Sequence, residues 1–86
     1  MTYEIRYHED IDWKKFRKLS REDRVRIHDA IERKLARDPL RFGKPLRSSL
    51  KGHRSLRIGN YRIIYRVEEH TVFVLLFGHR ANVYKG

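Results

Sequence analysis

The second half of the sequence contains four arginines together with histidines and tyrosines, side chains that can carry protons or stack on bases. The set comprises Arg54, Arg57, Arg62 and Arg80, with His53, His79, Tyr65 and Tyr84. RNA carries its own nucleophile, the 2′-hydroxyl, so its cleavage needs a base, cations that hold charge on phosphorus, and an acid for the leaving oxygen. Guanidinium groups match phosphate oxygens, and tyrosine and histidine transfer protons or stack on bases. The set therefore fits metal-free cleavage of RNA.

Other chemistries lack their residues. The chain contains no cysteine, which excludes disulfides, thiolate metal sites and cysteine nucleophiles. The five histidines are scattered, and no acid lies between Pro39 and Val67. Paired carboxylates for glycosidase or two-metal nuclease chemistry are therefore missing from that segment. We expect neither a metal nor another cofactor.

Charge is distributed unevenly along the chain. The formal net charge is +10, from 21 Lys and Arg against 11 Asp and Glu. The acid-free segment from Pro39 to Val67 holds eight bases: Arg41, Lys44, Arg47, Lys51, Arg54, Arg57, Arg62 and Arg66. Such a field attracts polyanions. Nucleic acid is the first candidate, an acidic protein the second and a membrane surface the third. Candidate RNA contacts are Arg47, Lys51, His53, Arg54 and His79.

The segment from Lys51 to Arg66 predicts a β-hairpin with its turn at Gly59-Asn60. In this register, Arg57 lies directly opposite Arg62, and like charges in that position destabilise a strand pair. The other face carries the apolar residues Leu56, Ile58, Tyr61, Ile63 and Tyr65. Either both arginines extend into water, or an anion lies between them.

The remaining patterns predict one α+β domain over residues 1–86. Tyr3, Ile5 and Tyr7 alternate as the inward residues of an N-terminal strand. A short helix follows, with Asp10 or Asp12 as its cap and Trp13, Phe16 and Leu19 on its apolar face. Ser20 caps a second helix, in which Ile27, Ile31 and Leu35 recur every four residues and which Asp38-Pro39 ends.

The C-terminal part of the chain predicts the rest of a three-stranded antiparallel sheet. Residues 40–50 have no period and should form a loop that Phe42, Leu46 and Leu50 hold to the core. The apolar run from Thr71 to Phe77 is typical of a strand buried on both faces, with Gly78 ending it and a helical turn following. Strands segregated from a helical hairpin indicate helices packed on one face of the sheet.

Neither a membrane-spanning apolar run nor a signal peptide is evident in the sequence. Together with the absence of cysteine, this favours a soluble protein of the cytoplasm.

Three motifs resemble the RelE/ParE toxin superfamily, and they are most similar to RelE-type mRNA interferases. They are Leu50-Lys51-Gly52, the segment from Arg57 to Tyr65 and the segment from Gly78 to Tyr84. The resemblance implies the toxin of a type II toxin–antitoxin pair, whose RelE branch cuts mRNA in the ribosomal A site. It also implies a partner, a small antitoxin encoded alongside. ParE-type members share the fold but inhibit DNA gyrase, which is the alternative function.

The resemblance also implies roles for individual residues. Arg62 and Arg80 match arginines that serve the scissile phosphate and leaving group, and Tyr84 matches a tyrosine that stacks on the substrate or helps to deprotonate it. Arg57 matches the second of two basic residues on the preceding strand. The first of these two is Ser55 here, so one candidate base is missing, and Arg54 or His53 could replace it.

Overall fold

Five strands and two helices build the domain in the computed structural model, which describes residues 2–47 and 51–79. In chain order the elements are β1 (Glu4–Tyr7), α1 (Trp13–Arg17), α2 (Arg21–Ala30), β2 (Lys44–Pro45), β3 (Arg54–Ile58), β4 (Tyr61–Glu68) and β5 (Thr71–His79). A π-helical turn over Ile31–Leu35 continues α2. The sheet order is β1-β5-β4-β3-β2, and all neighbours are antiparallel except β1 and β5. The α+β class predicted from the sequence is confirmed.

Local signals set both helix starts. The Asp12 side chain accepts a hydrogen bond from the Lys15 amide at 3.1 Å, and the Ser20 hydroxyl accepts one from the Asp23 amide at 3.1 Å. These bonds satisfy backbone donors that the first turn of a helix leaves open. At the other end, the Ala36 amide donates to the Ile31 carbonyl at 2.9 Å, and the Tyr3 amide donates to the Ala36 carbonyl at 2.6 Å. The helical segment is thereby joined to the start of β1.

The helices cover one face of the sheet, as predicted. Ile27, Ile31 and Leu35 are buried there, against Leu56, Ile58, Ile63, Tyr65, Val72 and Val74 of the sheet. Burial of these side chains is the main favourable term in folding. Tyr3 and Ile5 pack against this core. Tyr7 points to the same side, as predicted, because it pairs with Val74 of the core. Its side chain is only partly covered there: Tyr7 is 42% exposed and meets Trp13 edge-on at the surface.

The structure corrects three details of the predicted sheet. The N-terminal strand lies parallel to β5 at one edge, and the predicted loop over residues 40–50 contains the two-residue strand β2 at the other edge. The prediction that Gly78 ends its strand is also wrong. β5 continues to His79, and Gly78 lies buried opposite Arg62. Leu50 and the predicted C-terminal helical turn lie outside the described residues.

A register shift between Ile64 and Tyr65 explains the continuous apolar run in β5. Ile63 pairs with Phe77, and Tyr65 pairs with Val74, so β5 has one residue more than β4 over this stretch. Such a bulge changes which face the following residues occupy. It brings Val72, Val74 and Phe77 to the helix side, while Phe73 is half-buried on the other face beneath the guanidinium of Arg66. The predicted burial is therefore confirmed for Val72 and Val74, whereas Phe73 and Phe77 are only partly buried.

Candidate nucleic-acid interface

The predicted pairing of Arg57 with Arg62 is present across β3 and β4. Paired residues point to the same face, so both arginines lie on the side of the sheet away from the helices. Ser55 occupies the same face two residues before Arg57 and is 3% exposed. The Nη1 of Arg62 donates to the Ser55 hydroxyl oxygen at 3.3 Å, and the Nε of Arg57 lies 3.4 Å from the Gly59 carbonyl. Ser55 therefore orients the guanidinium of Arg62.

A groove opens beside this pair, and none of the described residues that line it is acidic. It has a volume of about 390 Å³ and is lined by Arg41, Phe42, Gly43, Lys44, Ser55, Leu56, Arg57 and Arg62. We call it the basic groove. Four cations around one open concavity produce a local positive potential that attracts a polyanion. On the β5 side, Arg62 is paired with Gly78, which has no side chain.

The buried side chain of Tyr65 and the partly buried side chain of Arg54 hold the wall of the groove. The Tyr65 hydroxyl lies 2.7 Å from the Pro39 carbonyl and 2.5 Å from the Phe42 carbonyl, and its single proton can serve one of them at a time. The Nη2 of Arg54 donates to the carbonyls of Leu40 at 2.9 Å and Gly43 at 3.1 Å. The segment from Pro39 to Gly43 is thus fastened to the sheet, and Lys44 follows it directly.

The structure brings some of the predicted residues together and places others elsewhere. Arg57 and Arg62 share the basic groove, whereas the guanidinium of Arg54 is turned towards the loop carbonyls. Arg47, Lys51, His53 and His79 do not line the groove. His79 ends β5 and meets the Tyr61 ring at 5.9 Å between centroids. Arg80 and Tyr84 lie outside the described residues, and their roles stay predictions.

Sequence reasoning missed Arg41 and Lys44 as members of the site. Both were counted among the bases of the acid-free segment, but nothing in the period of residues 40–50 predicted a strand there. Only the pairing of Lys44 with Ser55 brings the lysine to the face that carries Arg57 and Arg62.

A smaller apolar cavity of about 100 Å³ lies on the helix side of the sheet. Its lining consists of Tyr7, Ile11, Trp13, Phe16, Ile27, His28, Ile31, Ile63, Val74 and Phe77. It offers no arginine or lysine to a phosphate. Across residues 2–47 and 51–79 there is also no group of three or more acidic, histidine or cysteine side chains placed to hold a metal ion. None of the helices in these ranges is long and apolar enough to cross a membrane.

The buried hydroxyl of Tyr65 should make the stability of the fold depend on pH in the alkaline range. Burial raises the pKa of its phenol above the usual 10.0, although nearby Arg54 partly lowers it. The unfolded chain therefore loses this proton first, and stability falls as pH rises above about 10. Tyr65→Phe should cost about 1–3 kcal/mol at neutral pH, because it leaves buried carbonyls without their donor. The same variant should lose less stability than the parent between neutral pH and pH of about 10.5.

Denaturant unfolding at the two pH values measures both effects of Tyr65→Phe. In Tyr65→Phe the decrease of stability with rising pH should become smaller but should not disappear, because burial also raises the pKa of Tyr7. Tyr3→Phe is the matched control and should change stability by less than about 0.5 kcal/mol. Equal pH dependence in the parent and Tyr65→Phe would contradict the assigned role of this hydroxyl.

Comparison with known proteins identifies the class of this fold. A family model described as the ParE toxin of the type II toxin–antitoxin system parDE matches residues 4–84. The toxin–antitoxin complex RelBE2 of Mycobacterium tuberculosis contains a chain that is 34% identical. It superposes with a TM-score of 0.82 over 93% of this chain and 100% of that one. The chain therefore belongs to the RelE/ParE superfamily of type II toxins.

Individual relatives agree with this assignment. Toxin RelG of Mycobacterium tuberculosis is 53% identical over 53 residues, which cover 59% of this chain and 61% of that toxin. Toxin RelE of the same organism is 38% identical over 53 residues, 59% of this chain and 55% of that toxin. The match thus spans less than two thirds of either relative. The archaeal RelE–RelB complex from Pyrococcus horikoshii OT3, 22% identical with a TM-score of 0.63 over 96% of this chain and 100% of that chain, supports the fold alone.

Proposed function

We propose that this toxin is an endoribonuclease that cleaves mRNA on the translating ribosome without a catalytic metal. The observation that carries the proposal is the acid-free basic groove, in which Arg57 and Arg62 face each other across two strands. An RNA phosphate between them would turn a destabilising like-charge pair into a binding site. Similarity to the RelG and RelE toxins supports this activity over other uses of a cationic groove.

The reaction needs only groups that RNA and this chain provide. The 2′-oxygen loses its proton and forms a bond to phosphorus, the bond from phosphorus to the 5′-oxygen breaks, and a proton passes to that leaving oxygen. Arg62, held by Ser55, stabilises the negative charge that grows on the phosphate oxygens. In this proposal Arg80 serves the same phosphate and Tyr84 stacks on the substrate or assists proton transfer.

We further propose that a small antitoxin with an acidic segment binds this chain and neutralises it. Two of the solved relatives are toxin–antitoxin complexes. The net charge of +10 favours rapid association with an acidic partner. The toxin would act in the cytoplasm, where its substrate is translated.

Cleavage should depend on the ribosome. The described part of the groove holds no strong acid–base pair. In this proposal the ribosome compensates by holding the message in the geometry that cleavage requires. Purified toxin should cut a message on programmed ribosomes at defined sites, as measured by primer extension, and should leave the same naked RNA largely intact. Robust cutting of naked RNA that EDTA abolishes would contradict this proposal and indicate a metal nuclease.

Inhibition of DNA gyrase is the second candidate function, and the match to the ParE toxin family model favours it. A supercoiling assay with purified gyrase, run beside the ribosome assay, separates the two functions. A parent protein that cuts no message but blocks supercoiling would establish the binding toxin in place of the nuclease.

A further inference from the structure

Lys44 and Ser55 are partners in the β2–β3 ladder. Their side chains therefore share the face that also carries Arg57 and Arg62, and all four residues line the basic groove. Ser55 is uncharged and almost completely buried, with 3% of its surface exposed. Ser55 thus contributes no charge to the groove, but Lys44, the residue directly across the ladder, contributes a cation.

The backbone of Lys44 is held firmly although its side chain is exposed. The carbonyl of the preceding residue, Gly43, accepts a hydrogen bond from Arg54 at 3.1 Å, and the Phe42 carbonyl lies 2.5 Å from the buried hydroxyl of Tyr65. Pro45 follows, and its ring fixes the backbone dihedral φ. The backbone of Lys44 is therefore fixed across the ladder from Ser55, and its flexible side chain belongs to the lining of the basic groove.

The surroundings of Lys44 suit an anion. Among the described residues of the groove lining, the other charged ones are Arg41, Arg57 and Arg62, and none is a carboxylate. A lysine ammonium is a compact charge with three donors on a flexible stem, which can follow phosphate oxygens as their charge grows. Arg62 differs in this respect, since the Ser55 hydroxyl holds its guanidinium in one orientation.

We propose that Lys44 is a further catalytic residue, whose ammonium contacts a non-bridging oxygen of the scissile phosphate from the strand beside Ser55. This inference rests on the proposed nuclease function and deepens it. In this arrangement Ser55 orients Arg62, and Lys44 on β2 adds a third positive charge to those of Arg57 and Arg62. The groove then holds one mobile cation and two arginines around one phosphate.

Lys44→Gln and Lys44→Arg test the proposal against a matched charge-loss control, Lys14→Gln. Lys14 is exposed on α1, which packs on the opposite face of the sheet through the contact of Phe16 with Phe77. The measurement is the single-turnover rate of cleavage on programmed ribosomes. Lys44→Gln should lower the rate by about 10- to 100-fold, since it removes a donor to the transition state. Lys44→Arg should recover most of the rate because it keeps the charge.

The control variant and two further measurements separate a catalytic role from a structural or generic one. Lys14→Gln should stay within about twofold of the parent, and the melting temperature of Lys44→Gln should match that of the parent. Binding to ribosomes that carry a 2′-deoxy message, which cannot be cleaved, should weaken far less than the rate falls. A Lys44→Gln variant that cuts as fast as Lys14→Gln would overturn the inference while the nuclease function stands. A parent that cuts no ribosome-bound message would instead refute the proposed function itself.

Discussion

Replacing Arg62 by alanine should lower the rate of mRNA cleavage by about 10²- to 10³-fold, the usual cost of losing a preorganised donor to a transition state. Arg62 is suited to that role because it lines the basic groove and donates a hydrogen bond of 3.3 Å to the Ser55 hydroxyl, which orients the guanidinium. The fold should tolerate the change. The like charges of Arg57 and Arg62 destabilise the pairing of β3 with β4, and Arg62→Ala removes this repulsion.

Primer extension on a translated message, after induction of each variant, measures this effect. Arg66→Ala is the matched control, because Arg66 lies on the same strand and face but outside the basic groove, above Phe73. It should leave cleavage nearly unchanged. Arg80→Ala should behave like Arg62→Ala if the role implied by the resemblance holds. A loss of only a few-fold in Arg62→Ala, with a lower salt dependence of binding, would make Arg62 a generic phosphate contact.

Gly43→Ala should destabilise the domain by about 2–5 kcal/mol, from two additive causes. Gly43 has a φ of +76°, a conformation that costs other L-residues about 1–2 kcal/mol. An added Cβ would also collide with the Tyr65 hydroxyl, and overpacking of this kind costs about 1–3 kcal/mol. Because small domains are stable by only about 5–15 kcal/mol, this variant should melt at a clearly lower temperature.

Gly52→Ala isolates the backbone contribution to this loss. Gly52 has a φ of +91°, but nothing lies within 4 Å of a Cβ added there. Its variant should therefore lose only the conformational part. In a Tyr65→Phe background, Gly43→Ala should cost less than it does alone, since the colliding oxygen is gone. Equal losses in Gly43→Ala and Gly52→Ala would show that Tyr65 does not crowd the loop.

The sequence by itself was sufficient wherever the deciding interactions are local. The Gly59-Asn60 turn and the period of two predicted the hairpin register, including the opposition of Arg57 and Arg62. The sequence likewise predicted Ser20 as one helix cap and narrowed the other to Asp10 or Asp12, of which the structure shows Asp12. A strong alternation or a capping residue carries its signal within a few positions, so these features needed no knowledge of distant contacts.

Only the tertiary structure decided how distant segments meet, and this determines the candidate site. A two-residue strand has no period of its own, so the pairing of Lys44 with Ser55 depends on where Arg54 and Tyr65 fasten the preceding loop. The extension of β5 through Gly78 similarly depends on a bulge that realigns it with β4. The contacts that fasten the loop join residues 11 to 26 positions apart. Their energies come from burial and hydrogen bonds formed on folding, which no local pattern encodes.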